Sequence, residues 1–374
     1  MSVGHRVQIV LFICIVGGIG LMNLLAEDRT FSEHENRVLT QMPEFSIQRF
    51  VTGRYMSDFE EYVSDQFIWK DFWTGIKAEV QKATLKQENN GVFFGKNEFL
   101  FEGYDKPKEK LYQNIESLNY FANKAEGKKV YLMLAPTSVE IYSENLPFLA
   151  TSFSQKEVLE EATSKLTDSI KLIDVLESFR HHKEENLYFR TDHHWTMRGA
   201  YYAYAEAAKI IGFKPNEISD FTTSNVSKEF YGTFHSKANL RNVKPDVMEI
   251  FQPEFTVSYE VEYKDNQRTT PSLYEWKHLN TKDKYAFFLD GNHSLLTITS
   301  TIKNGRKLAV IKDSYAHALI PFLVNHYEEV HVIDLRYNHS NIYDYLAEQG
   351  ISEVLFLYNI ANFSTDSNMI WLKQ

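Results

Sequence analysis

Residues 307–358 read KLAVIKDSYAHALIPFLVNHYEEVHVIDLRYNHSNIYDYLAEQGISEVLFLY, and the rhythm of this stretch decides the fold class. Three apolar runs, Lys307–Ile311, Val330–Asp334 and Val354–Tyr358, alternate with two helix-length segments, Tyr315–Asn325 and Ile342–Gln349. Runs of Val, Ile and Leu without polar alternation are the pattern of strands buried on both faces. Joined through helices, such strands build a parallel sheet. Working outward, Lys129–Ala135 (KVYLMLA) repeats the strand pattern, and a helix over 155–168 leads to a strand at Lys171–Val175. Thr196 is placed to cap a helix from Met197 to Gly212, with Ala200, Tyr201, Tyr204, Ala207, Ala208 and Ile211 on one face. Helical spacing also covers 55–87 and 107–125, with a hairpin candidate at 92–101 between them. The alternation breaks over 213–284, which carries Pro215, Pro245, Pro253 and Pro271 and β-like pieces such as Thr256–Tyr263. The expectation is an α/β domain over 91–374, a central parallel sheet flanked by helices, with an inserted subdomain or lid at about 213–284. A stalk and helical segment over 27–90 precedes it.

The N-terminal end is different in kind. Residues 9–22 (IVLFICIVGGIGLM) have no polar side chain, and only Gln8 and Asn23 interrupt the wider window 7–26. Twenty helical residues reach about 30 Å, the hydrocarbon thickness of a bilayer. Arg6 precedes the window and Glu27-Asp28 follow it, so the charge bias puts the N-terminus in the cytoplasm and the rest outside. The expectation is a single-pass transmembrane anchor at 7–26 with an extracellular domain; a cleaved signal peptide is the alternative. The one cysteine, Cys14, lies in this window, which leaves the exported part free of disulfides. The 374 residues carry 40 basic and 50 acidic side chains, a net charge of −10, which argues against a nucleic-acid partner. Aromatic residues make up 14%, which suits a large core and also a sugar-stacking surface.

Two short sequences carry candidate chemistry. Arg190–Trp195 (RTDHHW) lies between a strand and a helix, and Ile311–Tyr315 (IKDSY) lies where a strand runs into a helix. A serine at such a junction sits at the carboxyl edge of the sheet, beside free N–H groups of the following helix. Nucleophilic serine chemistry needs a base within hydrogen-bond reach, an acid to orient the base, and donors for the oxyanion. In an extended segment residues i and i+2 share a side, so Asp192 is expected to orient His194 toward Ser314 while His193 points away. An N-cap reading of Ser314 and a packing reading of the histidines remain open on spacing alone. Trp195 is read as a core anchor. His181-His182 and His193-His194 do not form a convergent ligand shell at helical spacing, so no metal is expected.

At these residues the chain resembles the DHHW protein family, relatives of the alginate O-acetylation proteins in the SGNH-hydrolase superfamily. The likeness rests on Asp192-His193-His194-Trp195 and Lys312-Asp313-Ser314-Tyr315, continued by Ala316–Leu323. Smaller pieces are Phe31–Leu39, Gly91–Phe101, Ala135–Pro147, Phe288–His293 and Val332–Tyr337. The resemblance implies an SGNH-hydrolase-like fold and a triad of Ser314 as nucleophile, His194 as base and Asp192 as orienting acid, in permuted order. Lys312 stands where the usual Gly-Asp-Ser has glycine. The superfamily's oxyanion hole of serine N–H, glycine N–H and asparagine side chain points to Gly291 and Asn292, with a plain Asp-Gly-Asn turn as the alternative. Arg336 is a candidate to contact substrate oxygens, or else to pair with Asp334 or Asp313, and Tyr358 is a candidate to stack a sugar. The function implied is an exported, membrane-anchored O-acetyltransferase acting on a cell-surface or secreted polysaccharide. No cofactor is expected, the acyl group arriving through a membrane-bound O-acyltransferase partner. The alternatives are a carbohydrate O-acetylesterase with the same triad, and a non-catalytic polysaccharide-binding or scaffold protein.

Overall fold

The computed structural model describes residues 3–32 and 37–374. Residues 33–36, inside the FSEHENRVL piece, lie outside the described residues, as do Met1 and Ser2. The chain forms two compact units, residues 1–89 with 236–242, and residues 90–235 with 243–374.

The N-terminal unit begins with helix α1, Val3–Leu25, a 23-residue apolar helix with no buried residue. Its length and composition are compatible with a single-pass membrane anchor or a signal peptide. The helical spacing over 55–87 resolves into two helices, α2 (Arg54–Gln66) and α3 (Lys70–Ala83). They are separate because Trp69 takes a left-handed φ of 56°, which an α-helix does not tolerate, and Phe67–Lys70 turns instead. Asp65, near the end of α2, is buried and receives Arg37 at 2.5 and 2.8 Å, Lys70 at 2.9 Å and the Thr40 N–H at 2.9 Å. Those donors, Arg37 first, hold its carboxyl far below the usual range despite burial.

The second unit is built on an eight-stranded mixed sheet. Its strands are β1 (Lys129–Ala135), β2 (Ile170–Leu172), β3 (Tyr259–Tyr263), β4 (Arg268–Thr270), β5 (Leu295–Ser300), β6 (Lys307–Lys312), β7 (Glu329–Ile333) and β8 (Glu353–Asn359). The spatial order is β4-β3-β5-β7-β6-β8-β1-β2. Strands β7, β6, β8, β1 and β2 are parallel, as their apolar runs predict. Leu308–Ile311 in β6 and every residue of β8 are buried. At ~1.5–3 kcal/mol per large apolar side chain removed from water, these central strands are a main source of stability, and one charge at Val310 would undo it.

The other three strands extend the sheet antiparallel from β7. Burial alternates along β5, the pattern of a sheet with one wetter face. The expected central parallel sheet is present as these five strands, and the antiparallel edge is an addition to it. The stretch 213–284 is divided three ways: β3 and β4 join the sheet, Phe221–Phe230 pairs with Asp246–Pro253 as a separate ribbon, and 236–242 belongs to the N-terminal unit. Helices α4 (Glu109–Lys124), α5 (Gln155–Lys165), α6 (Met197–Ile211), α7 (Ala316–Leu323) and α8 (Ile342–Glu348) provide the crossovers and covers. Thr196 caps α6 through the Gly199 N–H, and Gly212 ends it in the left-handed region. All eight residues of α7 are buried. Pro321 removes the amide that would bond the His317 carbonyl, and the helix stops within a turn of it.

Candidate active site

The site forms where β6 hands over to α7. Asp313 fixes that elbow: one oxygen accepts the Tyr315 N–H at 2.9 Å, and the other accepts the Asn359 N–H at 2.9 Å, Asn359 Nδ2 at 2.7 Å and Asn362 Nδ2 at 3.0 Å. Burial raises its carboxyl pKa against these donors. Ser314 therefore leaves the carboxyl edge of the sheet at a fixed angle. Its own backbone N–H has no partner among the described residues. Lys312 needs no glycine conformation, since it closes β6 as an ordinary strand residue opposite Leu357.

Ser314 Oγ lies 2.7 Å from His194 Nε2, and His194 Nδ1 lies 2.6 Å from Asp192 Oδ1. A carboxylate only accepts, so Nδ1 carries the proton and Nε2 is free to take one from serine. Asp192 Oδ1 also accepts the His194 backbone N–H at 3.0 Å, and Oδ2 accepts Thr233 N–H at 2.7 Å and Thr233 Oγ1 at 3.1 Å. Burial works against its charge, yet the adjacent imidazoles of His193 and His194 and these donors outweigh it and hold the carboxyl far below the usual range. Gly232 closes the back of this acid: a Cβ there would stand 2.2 Å from Asp192.

The route by which the acid meets the base differs from the extended-segment argument. Residues 190–194 bend rather than extend, and Asp192 grips both the main chain and the ring of His194, as in an Asx turn. His193 accordingly does not point away. Its ring lies 3.8 Å from that of His194, and its Nδ1 lies 2.7 Å from Thr233 Oγ1. Burial and the neighbouring His194 push His193 down to about 4, so it stays neutral near pH 7. Tyr285 stacks on the other face of His194, with centroids 3.6 Å apart and planes within 8°. Two bonds tie the two motifs together: Trp195 Nε1 donates to the Tyr315 carbonyl at 2.9 Å, and Tyr315 OH donates to the His193 carbonyl. Trp195 is fully buried, as a core anchor should be.

Asp192, His193 and His194 offer ligand atoms within 4.8 Å of one another. Asp192 Oδ1 and both His194 nitrogens are already engaged with each other and with Ser314, and His193 Nδ1 with Thr233.

The remaining sequence candidates separate. Gly291 is corrected: its N–H is spent on the Phe288 carbonyl at 3.2 Å, in a turn where Leu289, Asp290 and Gly291 all have positive φ. Tyr358 is corrected as well, because at 2% exposure inside β8 it offers no face to a sugar. Asn292 is exposed, and its Oδ1 accepts Lys312 Nζ at 3.1 Å and Arg336 at 2.9 Å. Arg336 grips Asp334 through both oxygens, at 2.9 and 2.6 Å, as in the pairing alternative. Sequence reading missed Tyr285, Thr233 and Gly232, which carry no local motif and reach Asp192 and His194 only through the fold. Lys312 stands out in the sequence for the residue it replaces, not for what it touches.

A family model described as "DHHW protein" matches residues 88–333. Among curated proteins, a probable alginate O-acetylase AlgJ of Pseudomonas fluorescens is 25% identical over 175 residues, 44% of this chain and 44% of that protein. The match thus spans under half the length of that relative. Among solved structures, a DHHW family protein from Eubacterium siraeum superposes with a TM-score of 0.68 at 25% identity, covering 76% of this chain and 96% of the other. Bacillus cereus PatB1 superposes with a TM-score of 0.62 at 23% identity, covering 72% and 96%. The fold is therefore the SGNH-hydrolase-like α/β class.

Proposed function

We propose, from the premise that this chain belongs to the DHHW protein family, that it is a serine-dependent O-acetyltransferase acting on a polysaccharide. The observation that carries the proposal is the continuous Asp192–His194–Ser314 hydrogen-bond chain at the carboxyl edge of β6. Likeness to a protein named as an alginate O-acetylase supports acetyl as the group and a glycan as the acceptor.

In the first half-reaction Ser314 Oγ bonds to the carbonyl carbon of the acyl donor while its proton passes to His194 Nε2. Asp192 stabilises the imidazolium and keeps Nδ1 protonated. The tetrahedral oxyanion meets the unpartnered Ser314 N–H and the Asn292 amide NH2. Collapse breaks the bond to the leaving group, which departs with the proton from His194 and leaves acetyl on Ser314. In the second half-reaction His194 takes the proton of a sugar hydroxyl, whose oxygen attacks the acetyl-serine. The product ester departs and Ser314 regains its proton. Water in place of the sugar would make the same site an esterase. On this reading α1 lies in the membrane with the second unit outside it, beside a membrane-bound O-acyltransferase partner that passes the acyl group across.

The full chain in detergent should release nitrophenol from p-nitrophenyl acetate and be labelled by a fluorophosphonate probe. Ser314→Ala should abolish both, and His194→Ala should cost on the order of 10³-fold or more in kcat. Turnover surviving unchanged in Ser314→Ala would overturn the assignment. Transfer is tested by mass: acetylated glycan should form in preference to free acetate when acceptor is present.

A further inference from the structure

The residue that replaces glycine before the Asp-Ser pair is a lysine buried to 1% side-chain exposure, an expensive place for a cation. Its ammonium donates to Asp334 Oδ2 at 2.8 Å, His317 Nε2 at 2.8 Å and Asn292 Oδ1 at 3.1 Å, which uses all three of its protons. Arg336 reaches the same Asn292 oxygen at 2.9 Å while gripping Asp334. Lysine and arginine only donate, so the amide atom facing them is the oxygen, and the asparagine cannot flip. Its NH2 group is left with no partner among the described residues. The cluster sets two cations around Asp334, with the Asp313 carboxyl also acting on both, two residues from the nucleophile.

We propose that Lys312 and Arg336 are positioning residues that clamp the Asn292 amide, fix its NH2 as an oxyanion donor and strengthen that donor by polarising it. The inference rests on the serine-transferase reading above. An amide oxygen that accepts two charge-assisted hydrogen bonds draws electron density from its nitrogen, so its N–H groups donate more strongly. The donor is also held in place before the reaction, which is the condition under which an oxyanion contact lowers the barrier. Lys312 also sets the tautomer of His317, since donating to Nε2 leaves the ring proton on Nδ1. His317 Nδ1 is buried without a partner among the described residues, and burial together with Lys312 keeps the ring neutral. The glycine position has thus become the anchor of a charged support for the site.

The test is a double-mutant cycle on the full chain, with p-nitrophenyl acetate turnover and melting temperature as readouts. Asn292→Ala should lower kcat by about 10²–10³-fold, the usual size of one oxyanion donor. Lys312→Met should lower kcat by about 10–100-fold with KM within about twofold, and Arg336→Gln should lower it less. The combined Lys312→Met/Asn292→Ala variant should be no slower than Asn292→Ala alone. Asn292→Asp keeps the oxygen for the cations but removes both donors, so it should lose activity as Asn292→Ala does while melting no lower than the parent. Losses that multiply in the double variant, or full activity in Asn292→Asp, would overturn the clamp. Should Lys312→Met fail to fold, the same cycle run with Arg336→Gln decides. Turnover in Ser314→Ala would instead overturn the transferase reading and the clamp together, so the two failures are told apart.

Discussion

Asp65 and Asp334 are each held by one arginine and one lysine, and the two clusters differ in what they touch next. Asp65 meets Arg37 and Lys70, whose side chains are 42% and 14% exposed. Asp334 meets Arg336 and Lys312, exposed 34% and 1%. The charges are the same in kind and number. The difference lies in the lysine: Lys312 is sealed in and donates also to Asn292 and His317, beside a serine. The Asp65 cluster closes the end of a helix, with the Thr40 N–H as a further donor. Composition alone therefore does not distinguish a brace from a functional support; burial and the next bond outward do.

The comparison breaks most visibly if its carboxylates are removed. Asp334→Ala leaves Lys312 buried beside Arg336 with no counter-charge, and should cost about 3–5 kcal/mol together with most of the turnover. Chemical denaturation and p-nitrophenyl acetate assays on one preparation measure both. Asp65→Asn should cost less, about 1–3 kcal/mol, because its partners are better solvated, and kcat should not change. A fall in kcat from Asp65→Asn would remove the distinction between the clusters.

The smallest effect is an acid step, which sharpens the contrast without mutation. Burial holds His193 and His326, both in the second unit, at about 4, below an unfolded value of about 6.5. The unfolded chain binds more protons between those values, so stability is full above about 6.5 and declines as pH falls toward about 4. Asp65 has its carboxyl depressed, so its contribution is present above an unfolded value of about 3.9 and is lost only at still lower pH. Melting curves from pH 7 to 5.5 should show the start of the histidine decline, and His193→Gln should reduce it.

Much of the framework was legible because parallel strands write their burial directly into sequence. β1 spans the residues read from KVYLMLA, and β6, β7 and β8 fall within a residue of their predicted ends. Asp192, His194 and Ser314 stand out in the sequence as two short motifs, and the fold brings them within hydrogen-bond reach of one another. The antiparallel edge was harder. β5 has weak alternation and lies beside a proline-rich stretch that suggests an insertion. Tyr358 and Gly291 failed for a shared reason: sequence places them near the edge of the sheet, but whether a ring is covered or an N–H is spent depends on pairing partners far along the chain. The bend at 190–194 shows the same limit, since a side-chain bond to the backbone overrode the extended periodicity.

His194 is held like a leaf between two covers, with Tyr285 on one face at 3.6 Å and His193 on the other at 3.8 Å. A ring packed on both faces has no arc through which to swing, so a base at His194, as proposed, would not travel to meet its second substrate. Every incoming hydroxyl has to come to one immovable point above Ser314. On the proposed function, which hydroxyl of a sugar receives the acyl group is then settled by how the glycan lies against Ser314, before any proton moves.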